Sequence, residues 1–256
     1  MRTLKLTLAY DGTTYAGWQR QDHAPTIQGC LELAFGEIEG RAVAVVGAGR
    51  TDAGVHALGQ VASVRLAHPI DPATLTRALN AKLPTDIRVL HVEEAPSDFH
   101  ARYGARRKVY RYCLATGPVA SPFHRLHAWH LLQRLRLREM RQAAGVLCGQ
   151  HDFAAFHTAG GDVKTGSTVR TIFDVAVTPS CASDRLEVSS TEYVTVDVVG
   201  DGFLRHMVRI IIGTLVEVGL GRRAVLAVAD ALASRRRDHA GPTAPAHGLQ
   251  LLCVEY

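Results

Sequence analysis

The stretch "GAGRTDAGVH", residues 47–56, sets one acid, Asp52, among three glycines, with Arg50, Thr51 and His56 beside it. Glycine carries no Cβ, so a bulky ligand can come close to the backbone there. A carboxylate in such a loop suits nucleophilic chemistry. Phosphate binding fits poorly. A dinucleotide fingerprint wants a glycine where Asp52 stands and a helix after it, and a Walker loop ends in Gly-Lys-Ser/Thr. An acid would also repel the phosphate. The same residues equally suit a tight connection between strands, because Asp and Gly are common turn residues.

A second candidate is "RRKVYRYCL", residues 106–114, where Arg106, Arg107, Lys108 and Arg111 interleave with Tyr110 and Tyr112. In a strand the two tyrosines share one face, and Arg107, Val109 and Arg111 take the other. Charge for phosphates and rings for unpaired bases suit RNA. The plain alternative is an amphipathic strand with a solvated charged face. A third is "FLRHMVRIIIGTL", whose Leu204, Val208, Ile211, Ile212 and Leu215 form a core stripe with Arg209 one position past Val208. A partly buried arginine calls for a carboxylate partner. His124, His127 and His130 recur at steps of three, which on a helix would gather them. No carboxylate lies near, so contact with nucleic acid fits better than a metal. "SRRRDH", residues 234–239, reads as a solvated helix end.

The elements that position these groups follow from periodicity. "LKLTLAYDGT" alternates and stops at Asp11-Gly12, as a strand does. Ile27, Leu31, Phe35 and Ile38 recur at helical spacing behind Thr26 as N-cap. "AVAVV" is a strand leading into the glycine loop, and "GQVASVRL" alternates after it. "DPATLTRALNAKLP" opens with an Asp cap and Pro at N1, and "IRVLHVEEA" is a strand. The first hundred residues thus read βαββαβ. The second half repeats the order: strand "RKVYRYCLAT", helix "LRLREMRQAAGVL", strands at 167–178 and 185–202, helices "FLRHMVRIIIGTLVEVG" and "RAVLAVADALAS", and a closing strand "GLQLLCVEY". Residues 117–135 and 157–167 read as inserted loops. The expectation is an α+β protein of two ferredoxin-like (RRM-like) halves. Residues 1–105 carry the Asp52 loop, and residues 106–256 complete a cleft where the two antiparallel sheets meet.

Of 256 residues, 47% are apolar, enough for real cores. No apolar run is long enough to span a bilayer. "MRTLKLTLAYDG" lacks the pattern of a secretion signal and reads as a strand, so a cytoplasmic protein is expected. Cys30, Cys113, Cys148, Cys181 and Cys253 are scattered and odd in number, which points to buried thiols rather than disulfides or a zinc site. The net charge of +5 permits a nucleic-acid partner without requiring one.

Taken in order, "YDGTTYAGWQRQ", "TIQGCLE", "GRTDAGVHALGQVASV", "RKVYRY", "HDFAAF", "FLRHMVR" and "APAHGLQL" resemble the tRNA pseudouridine synthase A family over nearly the whole chain. The resemblance implies the pseudouridine synthase fold. It also implies a homodimer, without metal or organic cofactor, that isomerises uridine at positions 38, 39 and 40 of the tRNA anticodon stem-loop. By matching positions it makes Asp52 the nucleophile, Tyr110 a contact to the target base, Arg209 the partner of Asp52, and Arg50 a group that displaces the base. Thr51, His56, Arg107, Arg111, Arg205 and Leu249 complete the implied substrate-binding set. Arg205 stands where the family often has another residue, so either Arg205 or Arg209 could face the site. Gln250 replaces a frequent tyrosine. Two rival readings are a non-catalytic RNA-binding module with RRM-like halves and a nucleoside hydrolase. The first predicts aromatic pairs on central strands of both halves, and the second a cluster of acids around a metal.

Overall fold

The structure is a computed structural model and describes residues 1–158, 167–180 and 191–256. Two compact units are present, residues 1–106 with 250–256, and residues 107–249. Both mix helices and strands, so the protein is α+β.

In the first unit the order is β1 (Arg2–Tyr10), α1 (Ile27–Glu39), β2 (Val45–Gly47), β3 (His56–Leu66), α2 (Pro72–Lys82) and β4 (Ile87–Ala95). Strand β1 lies between β4 and β3, antiparallel to both, and β2 is antiparallel to β3. Thr26 caps α1 by accepting from the Gly29 N–H, and Asp71 caps α2 by accepting from Ala73 and Thr74, with Pro72 at the first turn. These caps satisfy donors that have no partner inside the helix. Helix α1 buries Ile27, Leu31 and Phe35, and α2 buries Leu75 and Leu79. Each such side chain contributes roughly 1.5–3 kcal/mol.

Strand β1 alternates, burying Leu4, Leu6, Leu8 and Tyr10. Strand β3 was expected to alternate and does not, since nine of its eleven residues are buried. The reason is a second cover on the sheet: Ala48, Val61 and Ala101 form a small cluster with Phe99, Val254 and Tyr256 packed on it. The Tyr256 hydroxyl donates to the Ala101 carbonyl (2.8 Å). The last strand, β10 (Leu249–Glu255), returns here and runs parallel to β3, with Gln250 opposite His56 and Leu251 opposite Ala57.

In the second unit β5 (Arg107–Thr116) pairs antiparallel with β9 (Glu192–Gly200), β9 with β8 (Val169–Ser180), and β8 with β7 (Gly149–Asp152). Strand β6 (Trp129–Leu131) runs parallel to β5. The short strands β6 and β7 were not expected, because three or four residues such as Trp-His-Leu show no period of their own. Part of the expected loop 117–135 is therefore a 3-10 turn at Pro122–His124 followed by β6. The helices are α3 (Leu137–Gly145), α4 (Met207–Gly219) and α5 (Ala227–Ser234). Helix α4 starts at Met207 and not at Phe203. Its N-cap, His206, has φ 61°, a left-handed conformation that cannot continue a helix. Helix α5 likewise starts four residues later than expected. Val208, Ile210, Ile211, Ile212, Leu215, Val216 and Val218 are all buried, so α4 is covered nearly all round.

Residues 159–166 of the second expected loop, residues 185–190 of an expected strand, and Cys181 lie outside the described residues. The other four cysteines are half-buried rather than buried. Among the described residues no helix is long and apolar enough to cross a membrane.

Candidate active site

In the loop between β2 and β3, Ala48, Thr51 and Val55 are buried and Arg50 and Ala53 are exposed. Thr51 is 6% exposed, and Asp52 is half-buried. Under it, the Thr51 hydroxyl meets the Tyr10 hydroxyl (2.9 Å), and the Gln60 amide donates to the Gly49 carbonyl (2.9 Å). On one flank the Trp18 N–H donates to the Thr51 carbonyl (3.0 Å). Gly17 sits behind the same peptides at φ +98°, where an added methyl would lie 2.6 Å from the Thr51 oxygen. A side chain there is excluded both by space and by conformation. Past the acid, the Val55 N–H donates to the Asp52 carbonyl (3.1 Å) and closes the turn. The backbone that carries Asp52 is therefore fixed from below, from the flank and from behind, and Asp52 itself is half-buried.

Thr51 and His56, expected to meet substrate, are used inside the unit. His56 is 5% exposed. The Gly12 N–H donates to its Nδ1 (3.1 Å), and Asp11 Oδ1 lies 3.0 Å from the same nitrogen. A neutral Nδ1 accepts from Gly12, and a protonated one donates to Asp11. Either way His56 ties the Asp11-Gly12 turn to the end of the loop.

On β5 the tyrosines do share a face, and that face is buried. Tyr112 is fully buried, and its hydroxyl donates to the Pro245 carbonyl (2.8 Å). Burial is the main reason its phenol is held far above the usual range, against the opposing charge of Arg209. Tyr110 is 7% exposed and stands edge-on to Phe203 at 5.2 Å. Arg107 is exposed. Arg111 grips Asp197 with two bonds of 2.7 Å, so its charge is already compensated, and that pairing raises its pKa.

Arg209 is half-buried on the first turn of α4, and Arg205 before the helix is exposed. Arg209 Nε donates to the Ala244 carbonyl (2.8 Å), and the Ala244 N–H donates to the Arg209 carbonyl (3.0 Å). Leu249, at the head of β10, is buried.

The three histidines do not lie on one helix. His124 Nδ1 meets the Tyr193 hydroxyl (2.6 Å) across a T-shaped ring contact, whereas His130 on β6 meets the Gly117 carbonyl (2.7 Å). Pro122 opens a single 3-10 turn, and the chain then extends, so the step of three never becomes a face. In the 234–239 run, Arg235 pairs with Asp152 (3.2 Å), Arg236 with Asp238 (2.6 Å), and Arg237 donates to the Gly241 carbonyl (2.8 Å).

Tyr10, Gln60 and Gly17 were not singled out by sequence. One signal was available: Gln60 is a lone amide in the apolar run "ALGQVASV".

Comparison with known proteins gives a consistent result. A family model described as tRNA pseudouridine synthase matches residues 7–104 and 143–256. A protein of Moorella thermoacetica named tRNA pseudouridine synthase A is 46% identical over 258 residues, covering all of both chains. Proteins of the same name from Syntrophotalea carbinolica and Myxococcus xanthus are each 44% identical over 256 residues. They cover all of this chain and 97% and 92% of theirs.

Proposed function

The chain belongs to the tRNA pseudouridine synthase family, and we propose that Asp52 is the group that carries its reaction. The protein is an isomerase that makes pseudouridine in tRNA. The observation that carries the reading of Asp52 is a half-buried acid on a backbone fixed from three sides. In the isomerisation the C1′–N1 bond of a uridine breaks, the base turns, and C1′ joins C5. The C5 proton is then lost and N1 gains one. A carboxylate nucleophile at the sugar or the base splits this into two easier steps. Related logic puts carboxylates at the anomeric carbon in glycosidases. No redox change is involved.

The target nucleotide must leave the helical stack to reach Asp52. We assign Arg50, exposed two residues before Asp52, to displacing the base. Tyr110 contacts the base and offers its hydroxyl for proton transfer. Arg209, rather than the exposed Arg205, is assigned as the partner that keeps Asp52 ionised. What favours Arg209 is that it is half-buried, whereas Arg205 is exposed. Arg107 is assigned to phosphate and Leu249 to the edge of the base pocket. Thr51, His56 and Arg111 are assigned to the fold rather than to substrate. The substrate is the anticodon stem-loop at positions 38, 39 and 40. A cytoplasmic homodimer whose halves, 1–105 and 106–256, are ferredoxin-like domains completes the reading. The element order and the strand order β4-β1-β3-β2 support it for the first.

The test is tRNA incubated with the protein. A residue of unchanged mass that maps as pseudouridine at 38–40 is expected. Pseudouridine confined to other positions overturns the anticodon assignment. Free uracil would mark a hydrolase, and unchanged RNA a binding module. The binding-module reading is weakened by the ring of Tyr112, which is fully buried and so is no stacking platform.

A further inference from the structure

Three polar side chains lie almost wholly out of water beneath the Asp52 loop: Tyr10 at 4%, Thr51 at 6% and Gln60 at 0% exposed. Burying a hydroxyl or an amide is unfavourable unless its bonds are made. Here they are made to one another and to the loop. Gln60 Nε2 donates to the Gly49 carbonyl (2.9 Å) and, at 3.4 Å, to the Tyr10 hydroxyl oxygen. Gln60 Oε1 accepts from the Val61 N–H (3.2 Å). The Tyr10 oxygen, accepting from Gln60, has its own proton to give to Thr51 Oγ1 at 2.9 Å. Apolar residues of similar volume would fill the same space with no polar group to satisfy.

The bonds fall on alternate residues of the loop. Gly49 and Thr51 are gripped from below, whereas Arg50 between them is exposed and Asp52 after them is half-buried. Gripping 49 and 51 sets the direction of 50 and 52. Tyr10 ends β1 and Gln60 is the fifth residue of β3, so the grip comes from two central strands of the sheet rather than from other loops. Rigid elements hold a reactive group more accurately than loops do.

We infer that Tyr10 and Gln60 are positioning residues for the reaction, acting through Gly49 and Thr51 to aim the side chains of Arg50 and Asp52. The inference rests on Asp52 being the reacting group.

The test compares single-turnover rates, tRNA affinity and thermal midpoints of the full chain. Tyr10→Phe, Thr51→Val and Gln60→Leu remove bonding groups with little change of shape. A misplacement on the order of 1 Å costs about a hundredfold in rate. Each variant is expected to lose about ten- to a hundredfold in single-turnover rate, with tRNA affinity within about threefold. Thr51→Ser, which keeps the hydroxyl, is expected to stay within about threefold of the wild type. Leu75→Ala, in the core of α2 and outside the network, serves as the stability control. It should lower the midpoint at least as far and leave the rate near wild type. Wild-type rates in Tyr10→Phe and Gln60→Leu, beside an inactive Asp52→Asn, overturn the positioning role alone. A rate loss in Leu75→Ala equal to theirs overturns it as well. An active Asp52→Asn overturns the reading of Asp52 itself.

Discussion

Two regions of the molecule are clamped against buried elements, one in each unit, and by different means. The loop at 47–56 is held from below by side chains, Tyr10 and Gln60, reaching up from strands. The segment at 241–245 is held by its own backbone. The Gly241 N–H donates to Thr214 Oγ1 (2.8 Å), Ala244 exchanges bonds with Arg209, and the Pro245 carbonyl accepts from Tyr112. In the first region the alternate residues left to face outward are a cation and an acid. In the second, a cation and a phenol are turned inward to secure a strap. A loop that presents groups needs its underside anchored by something other than those groups. A strap that only covers a helix can take its anchors from whatever lies beneath. The first arrangement leaves its outward residues available, and the second uses its side chains to hold the strap, Arg209 through its Nε.

The largest effect that would break this contrast is at Asp52. Asp52→Asn keeps the shape and removes the charge and nucleophilicity. Turnover is expected to fall by at least about a thousandfold, as it does when a nucleophile is lost. Affinity for tRNA is expected to stay within a few-fold, since the amide keeps the shape of the side chain. Single-turnover kinetics and filter binding measure both. Turnover above about a hundredth of wild type would falsify the nucleophile role.

A pair of glycines sharpens the contrast next. A methyl at Gly213 would collide with the Pro242 carbonyl oxygen and force the strap off α4. A methyl at Gly17 would press on the Thr51 oxygen in a residue already at φ +98°. Each change should cost about 1–3 kcal/mol of stability, by overpacking at Gly213 and by strain at Gly17. Gly17→Ala should slow the chemical step more, because it displaces the peptide of Asp52 directly, whereas Gly213→Ala reaches the reaction only through the Ala244–Arg209 bond. Urea unfolding and single-turnover rates on the same two variants decide it. Equal rate losses would show that the strap aims reacting groups too.

What could be read beforehand follows the range of the interactions. Helices α1 and α2 were legible because Thr26 and Asp71-Pro72 cap them within a few residues. Asp52 was legible as a candidate because a lone acid among glycines is a local pattern. The start of α4 was not. His206 stays left-handed with its Nδ1 on the Thr158 hydroxyl (2.9 Å), forty-eight residues away in sequence. Strands β6 and β7 were invisible because their pairing is supplied by β5 and β8. The inward bonds of Thr51 and His56 were not legible, because a polar residue beside a reactive one looks reactive. What turns each inward is Tyr10 or Gly12, again distant in sequence. The ion pair of Arg111 was not legible either, since Asp197 comes opposite it only in the ladder.

Alkaline pH tests the network that holds the loop. The Tyr10 phenol ionises at about 12 in the fold, raised from 10 by burial and opposed by its bonds to Thr51 and Gln60. The fold favours the neutral form. The contribution to stability is therefore complete below pH 10 and is lost as pH rises from 10 towards 12. Two units amount to about 2–3 kcal/mol at most. Tyr15, Tyr112 and Tyr256 are also raised by burial and add in the same direction. Urea midpoints at about pH 9 and about pH 11 should diverge in the wild type and diverge less in Tyr10→Phe. An equal divergence in both proteins would place the alkaline loss on the other tyrosines.

The smallest effect distinguishes two arginines on one strand. Arg107 is exposed, and Arg111, four residues on, is held by Asp197 with two short bonds. Each phosphate neutralised by a cation steepens the fall of log K with log salt by about 0.9 on duplex RNA, by analogy with DNA. Arg107→Gln is expected to weaken binding of all tRNAs several-fold and to flatten that slope by roughly one unit. Arg111→Gln leaves Asp197 without its cation, so it should lower the thermal midpoint while moving the salt slope little. A double change of Arg111 and Asp197 to Gln and Asn should restore part of the midpoint and still leave the slope in place. A slope that flattens as much for Arg111→Gln as for Arg107→Gln would mean that the ion pair opens when RNA binds. The face of β5 that carries Arg111 would then belong to the RNA-binding surface.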